Sequence, residues 1–206
     1  NKLSEIINKN IDGVVKVDIQ SIFINDISFK YPKTSKSILE KLSFSLKLGD
    51  KVVFFGRSGS GKSTILKLLL GFFTPSTGKI LINNHLLDDM DLTHYRNQFA
   101  YVGQDTKLFD MSVLDNIKYS LTVTNEEVYA LISKYKITTV YEKLEKGLET
   151  NAGTDGNNLS GGQKQMVLIL RSLLKKPKIY LFDEPTAALD PNTRKIIYTI
   201  LRDINE

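Results

Sequence analysis

The chain has 206 residues, of which 41% are hydrophobic and 25% charged, and its formal net charge is +5. These proportions are typical of globular proteins and exclude disordered, collagen-like and low-complexity chains, and the length suits one domain, with or without an inserted subdomain. The absence of cysteine excludes a disulfide framework, a thiolate metal site and a cysteine nucleophile, and with only two histidines a zinc site is not expected.

The positive charge has two interpretations. A basic chain can bind nucleic acid or an anionic membrane surface. The lysines are scattered along the sequence, however, which favours a solubilising surface over a binding patch. No apolar run approaches the roughly 20 residues that cross a bilayer. Because residue 1 is Asn, we expect the chain to be part of a longer or processed protein.

The first third of the chain is predicted to be rich in strands. Residues 1–13 are polar and are interpreted as a linker. Between residues 14 and 48, short alternating runs such as 22–24 and 27–29 predict β-strands. The next run, 51–55, consists of Lys51 and four apolar residues and predicts a short strand buried on both faces.

A glycine-rich turn after this run predicts a phosphate cradle. Residues 56–63 match G-x-x-x-x-G-K-[ST] between a predicted strand and an apolar helix that ends near Gly71. Glycines let backbone N–H groups converge on phosphate oxygens, and the helix N-terminus adds partial positive charge. Lys62 is expected to reach the β- and γ-phosphates, and the Ser63 hydroxyl to hold Mg²⁺. The alternative is a flexible turn. The candidate nucleotide contacts are Gly56, Arg57, Ser58, Gly59, Ser60, Gly61, Lys62, Ser63 and Thr64.

The middle of the chain, residues 125–146, is predicted to be helical and separate from the strand-rich part. Its apolar residues recur at helical spacing, and Thr124 with Glu127 forms a capping-box pattern.

A second helix start, at residues 159–163, predicts another anion site. Ser160 and Gln163 form a capping-box pattern, so an ordinary capped helix is one interpretation. The two intervening glycines, however, cost about 1 kcal/mol each in helix propensity against alanine. Such a cost favours a close approach of the backbone to a phosphate. The simplest arrangement is a head-to-tail dimer in which each copy contributes this turn to its partner's nucleotide.

The apolar run 179–182 predicts a strand that ends in two carboxylates, Asp183 and Glu184. Asp183 is expected to reach Mg²⁺ through water. Side chains alternate along a strand, so Glu184 is expected to point elsewhere and to orient or deprotonate an attacking water. The alternative is an exposed acidic turn. A last helix is predicted to begin with Asp190 as N-cap and Pro191 at its first position.

The motifs at 56–63, 104, 159–163 and 179–184, in this order, resemble the nucleotide-binding domain of ABC (ATP-binding cassette) ATPases over about residues 14–206. The resemblance implies an α/β fold: a P-loop NTPase (RecA-like) core, an N-terminal antiparallel β subdomain and an inserted α-helical signature subdomain. It places the core and β subdomain at 14–104 and 165–206, and the helical subdomain at 105–164.

The resemblance also implies roles for individual residues. Tyr31 is similar to the aromatic that stacks on adenine, although a strand-end turn aromatic is the alternative. Gln104 is similar to the glutamine that touches Mg²⁺ and senses the membrane partner, and it joins Lys62 and Glu184 as a catalytic candidate. Asp190 is similar to an interface aspartate, although its N-cap role alone would explain it. The signature residues expected at the partner's ATP are Ser160, Gly161, Gly162 and Gln163.

Within the family the chain most resembles exporter-type domains, through residues 108–117 and through the loop 150–156. Ala152 and Thr154 stand where that loop usually has Val and Glu. The implied function is ATP hydrolysis with Mg²⁺ by a dimer, expected to be a homodimer, that powers a transmembrane transport domain. That domain is expected to precede this segment in the full-length chain, at the cytoplasmic face of a membrane, and no nucleic-acid partner is expected.

Two questions stay open from the sequence. The family's switch histidine is expected about thirty residues after Glu184, beyond Glu206, so we expect a C-terminally truncated segment; poor hydrolysis is the alternative. A soluble ABC ATPase acting on nucleic acid or ribosomes is the alternative function, but the stretch between Ser63 and Ser160 is too short for a long coiled-coil insertion. A GTPase or small-molecule kinase is disfavoured, since neither uses a signature turn.

Overall fold

A computed structural model describes residues 14–32, 34–104, 106–142, 144–187 and 189–204. The predicted linker, 1–13, lies outside these ranges. The chain divides into two compact units, the first ending at Phe99 and the second beginning at Ala100. Within the described ranges, every helix is too short or too polar to span a bilayer.

The first unit contains a four-stranded antiparallel sheet. Its strands are β1 (Ser21–Phe29), β2 (Leu39–Lys47), β3 (Thr77–Ile82) and β4 (His85–Leu86), in the order β2-β1-β3-β4. The predicted runs 22–24 and 27–29 belong to one strand, β1. Its pairing register shifts between Ile24 and Ile27, and Asp26 adopts a φ of 51° there. This irregularity keeps both isoleucines buried although they are three residues apart.

Two helices of the first unit are linked by hydrogen bonds from side chains of one to the C-terminal carbonyls of the other. They are α1 (Lys62–Leu69) and α2 (Leu92–Asn97). Tyr95 of α2 donates its hydroxyl to the Leu69 carbonyl at 2.7 Å, and Arg96 donates to the Leu70 carbonyl at 2.8 Å. These bonds satisfy carbonyls that the end of a helix leaves without intrahelical partners. The C-terminal end of α1, the helix that follows the predicted phosphate cradle, is therefore fixed by side chains of α2.

The strand predicted at residues 51–55 is wrong for this structure. The run belongs to neither sheet, and Val53 and Phe55 are 70% and 92% exposed. An all-apolar strand is stable only where neighbouring strands and covering elements bury both of its faces. The sheet of the first unit ends at β2 and β4 and does not include this run.

The second unit is largely helical. A two-stranded sheet pairs β5 (Phe99–Val102) with β6 (Ile179–Phe182). The helices are α3 (Val113–Lys118), α4 (Asn125–Lys134), α5 (Thr138–Tyr141), α6 (Gly161–Lys175) and α7 (Pro191–Asp203). The helical character predicted for 125–146 is confirmed as far as Tyr141, including the capping box of Thr124 and Glu127, whereas 144–146 are not helical. Helix α6 is central to the core: Met166, Val167 and Ile169 are fully buried.

Asn116 of α3 forms hydrogen bonds with the backbone of the loop 109–112, which precedes α3. Its side chain is fully buried, and its amide oxygen accepts the Phe109 N–H at 2.9 Å. The amide nitrogen donates to the carbonyls of Phe109 and Ser112, at 2.9 and 3.1 Å. A single side chain therefore satisfies backbone groups on both sides of the loop.

Asn116→Ala is expected to lower the free energy of unfolding by roughly 1–3 kcal/mol, because the Phe109 N–H loses its acceptor and the carbonyls of Phe109 and Ser112 each lose one of their donors. Urea unfolding followed by circular dichroism measures this change. The exposed Asn157 offers a control, since Asn157→Ala should shift the midpoint little. Equal effects of the two substitutions would contradict the role assigned to Asn116.

Candidate nucleotide-binding site

The glycine-rich loop of the first unit ends in a conformation that only glycine adopts freely. Gly61 is the N-cap of α1 and has a φ of 94°. A Cβ atom at this position would lie 2.7 Å from the Leu39 side chain and 3.1 Å from that of Ile38. Backbone angle and space therefore both require glycine here, independently of any ligand.

Lys62 lies across the start of the same loop. Its ammonium donates to the carbonyls of Gly56 and Arg57, at 3.1 and 3.2 Å. The loop thus folds back towards the lysine that follows it, and the positive charge is held beside the backbone that the motif assigns to phosphate binding.

Tyr31 lies against the first turn of α1. Its hydroxyl is 3.0 Å from the Thr64 hydroxyl. The ring meets Phe29 and Phe73 edge-on, with centroids 5.0 and 5.4 Å away. The structure therefore brings this aromatic residue, 33 positions away in sequence, next to the predicted phosphate cradle.

In the second unit, Asp183 and Glu184 differ sharply in environment. Asp183 is 5% exposed, its N–H donates to the Val102 carbonyl at 2.9 Å, and the Tyr101 hydroxyl donates to its carboxylate at 3.4 Å. Glu184 is exposed. The difference does not come from strand alternation, because β6 ends at Phe182 and Glu184 adopts a φ of 50°. A left-handed backbone at a residue other than glycine is strained, and such strain is concentrated at functional sites.

Gln104 follows β5 as Asp183 follows β6. It is exposed, two positions beyond Val102, whose carbonyl accepts the Asp183 N–H. The structure thus brings the segment that carries Gln104 beside Asp183.

The turn at the start of α6 is capped as predicted. The Ser160 hydroxyl accepts the Gln163 N–H at 3.3 Å, and the Gln163 side chain accepts the Ser160 N–H at 2.8 Å. A Cβ atom on Gly161 would have no neighbour within 4 Å, and one on Gly162 would make only ordinary contacts, the nearest at 3.4 Å with Thr193. Packing among the described residues therefore explains neither glycine.

Asp190 is the N-cap of α7, as predicted. Its carboxylate accepts the N–H groups of Asn192 and Thr193, both at 3.0 Å. Hydrogen bonds from Thr193 lower the pKa of this carboxyl below its ordinary value of 3.8. An added Cβ on Gly162 would lie 3.7 Å from the Asp190 carboxylate, so the starts of α6 and α7 lie side by side. The interface role of Asp190 stays a prediction.

Each unit carries oxygen donors of a kind that suits Mg²⁺. Ser63 of the first unit offers a hydroxyl, and in the second unit Asp183 offers a buried carboxylate and Gln104 an amide oxygen. Across the described residues, no three His, Cys, Asp or Glu side chains converge into a metal cluster.

Sequence reasoning missed Tyr101 as a partner of Asp183. The two residues are 82 positions apart, and no local pattern connects them. Only the pairing of β5 with β6 brings them together.

A glycine-rich loop that carries Lys62 and Ser63 at the start of a helix, together with a buried aspartate directly after an apolar strand, defines a P-loop nucleotide-binding protein. The family profile described as "ABC transporter" matches residues 39–187. The chain belongs to the ABC transporter family.

Relatives and a solved structure support the same assignment. The chain is 39% identical to the mitochondrial iron-sulfur clusters transporter ATM1 of Saccharomyces cerevisiae, over 88% of this chain and 26% of that protein. It is 37% identical to multidrug resistance protein 1 of Entamoeba histolytica, over 87% and 14% of the two chains, and 38% identical to an ATP-dependent lipid A-core flippase of Xylella fastidiosa, over 85% and 30%. A bacterial Atm1-family ABC exporter with ATP bound matches with a TM-score of 0.82 and 33% identity, over 99% of this chain and 37% of that one.

These comparisons confirm the predicted family resemblance and fold class. They give no support to the alternative of a soluble ATPase acting on nucleic acid or ribosomes. The chain spans about a third or less of the length of these proteins.

Asp190→Asn is expected to lower the melting temperature at neutral pH, with a difference that shrinks on acidification. Asparagine still caps the helix but carries no charge. Because folding lowers the pKa of Asp190, the carboxylate stabilises the folded state above the unfolded pKa and loses this effect as pH falls through the folded pKa. Thermal unfolding of both proteins from neutral pH to about pH 2.5 measures the difference. A pH-independent difference would contradict the charge argument.

Proposed function

We propose that this chain is the nucleotide-binding domain of an ABC exporter. It binds and hydrolyses Mg·ATP as a head-to-tail dimer, expected to be a homodimer, and powers transport by an associated transmembrane domain at the cytoplasmic face of a membrane. Family membership supports the ATPase part of the proposal. The names of the relatives, two transport proteins and a flippase among them, support the transport part.

In this proposal, the loop from Gly56 to Thr64 holds the triphosphate, and Tyr31 stacks on the adenine. The Lys62 ammonium neutralises charge on the β- and γ-phosphates, exchanging its bonds to loop carbonyls for bonds to phosphate oxygens. Ser63, Asp183 and Gln104 would hold Mg²⁺, which supplies charge stabilisation at the phosphates when bound.

Glu184 is the proposed general base. Its exposed carboxylate follows the buried Asp183, and the left-handed backbone separates the directions of the two side chains. Glu184 can therefore orient and deprotonate an attacking water while Asp183 stays at the metal.

The observation that carries the dimer proposal is that the part of the chain described by the structure gives no packing reason for Gly161 and Gly162. The two glycines cost helix propensity, and the chain around them leaves room for a side chain. A ligand that must approach the bare N–H groups of this turn supplies the missing reason. We infer that Ser160, Gly161 and Gly162 contact the γ-phosphate of the partner's ATP.

The loop 150–156 resembles the exporter loop but departs from it at Ala152 and Thr154, and these two departures count against the exporter assignment. The Lys107 ammonium lies 2.6 Å from the Asp155 carboxylate, and Thr154 donates to Asp110 at 3.3 Å. Where the family usually has Glu, this chain thus has Thr154 bonded to a neighbouring carboxylate. Ala152 is fully buried, so a small residue suits its position.

Lys62→Ala is expected to weaken ATP binding by about a hundredfold, because charge-assisted bonds to two phosphates are lost. Titration of the intact protein that contains this chain with a fluorescent ATP analogue measures the dissociation constant. Lys36→Ala removes an exposed lysine outside the loop and should leave it unchanged. Unaltered binding in the Lys62 variant would refute the cradle assignment.

Gly161→Ala is expected to reduce ATP turnover without lowering the free energy of unfolding. Alanine fits the open space and has better helix propensity, so the free energy of unfolding should stay constant or rise by up to about 1 kcal/mol. ATP turnover should fall by about tenfold or more, because the added methyl group obstructs the approach of phosphate. Thermal unfolding and steady-state ATPase assays test the two parts. Parent-like turnover would exclude this turn from the nucleotide site.

A further inference from the structure

The side chain of Gln163 forms hydrogen bonds within its own chain through both its amide oxygen and its amide nitrogen. Its amide oxygen accepts the Ser160 N–H at 2.8 Å, and its amide nitrogen donates to the Val140 carbonyl at 2.9 Å. The first bond closes the capping box of α6, and the second ties this turn to the short helix α5.

Another hydrogen bond between α5 and α6 reinforces the bond from Gln163 to Val140. The hydroxyl of Tyr141, the residue after Val140, donates to the Gln163 carbonyl at 3.4 Å. Tyr141 is 3% exposed, and burial raises the pKa of its hydroxyl, so it stays a donor. Two consecutive residues of α5 therefore hold the first turn of α6.

The residue type at position 163 follows from these contacts. The capping box alone needs only an acceptor at this position, and glutamate would supply it while also favouring the positive end of the helix dipole. A donor towards the Val140 carbonyl needs an amide. Glutamine is the side chain that accepts from Ser160 and donates to Val140 at once.

We propose that Gln163 is a positioning residue for the turn that precedes α6. It fixes the orientation of Ser160 and the two glycines by anchoring their turn to α5. This inference rests on the proposed function, in which the turn meets the partner's γ-phosphate. It makes α5 part of the support of the signature turn.

Hydrogen exchange in the nucleotide-free intact protein tests the anchor directly. Gln163→Met, which removes both side-chain bonds, should speed exchange at the Ser160 amide and across α5 by about tenfold. Gln163→Glu keeps the acceptor but not the donor, so it should speed exchange across α5 while the Ser160 amide stays protected. A residue that served only as a nucleotide ligand would change neither when nucleotide is absent.

Gln165→Met is the matched control. Gln165 lies in the same helix, and its buried amide nitrogen has no hydrogen-bond partner among the described residues. Its replacement should leave exchange and turnover at parent levels.

Steady-state kinetics supply the second readout. With the turn misplaced, Gln163→Met should lower kcat about tenfold and leave KM for ATP within about twofold, since the cradle of the first unit still binds nucleotide. A raised KM with parent-like exchange in the nucleotide-free protein would overturn the proposal and make Gln163 a ligand. Failure of the proposed function looks different: the parent protein itself would not turn over ATP.

Discussion

Two helices of this chain start at glycines, and the physical reasons differ. At Gly61 the backbone turns into the left-handed region and the side chains of β2 and its preceding residue leave no space, so the fold itself demands glycine. At Gly161 the backbone is helical and the surroundings are open. The first glycine shapes a loop, whereas the second keeps N–H groups accessible to something outside the chain. The function proposed for this domain depends on this difference.

Features governed by local interactions could be predicted from the sequence. The capping boxes at Thr124 and Ser160 and the Asp190 N-cap involve residues two or three positions apart, so the pattern contains both partners. The loop around Lys62 was predictable for the same reason. The motif contains both the glycines of the loop and the lysine whose ammonium bonds to the loop backbone.

Features governed by distant pairing could not be predicted in this way. The hydroxyl of Tyr101 reaches Asp183 only because β5 and β6 pair, and the amide of Gln163 reaches Val140 only because α5 packs against α6. The apolar run 51–55 shows the converse error: composition indicated a buried strand, but burial depends on neighbours that composition does not specify. The bulge at Asp26 likewise shifts the alternation pattern without a local warning.

The left-handed backbone at Glu184 costs stability at a position whose side chain the proposed hydrolysis requires. Glycine or asparagine would adopt this conformation with less strain. Pro185 further restricts the backbone angles that residue 184 can adopt. Directed evolution for heat tolerance would therefore favour replacing the proposed base, and the resulting variants would survive heating yet fail to hydrolyse ATP. Any library built to rigidify this domain should hold position 184 constant and seek its gains elsewhere.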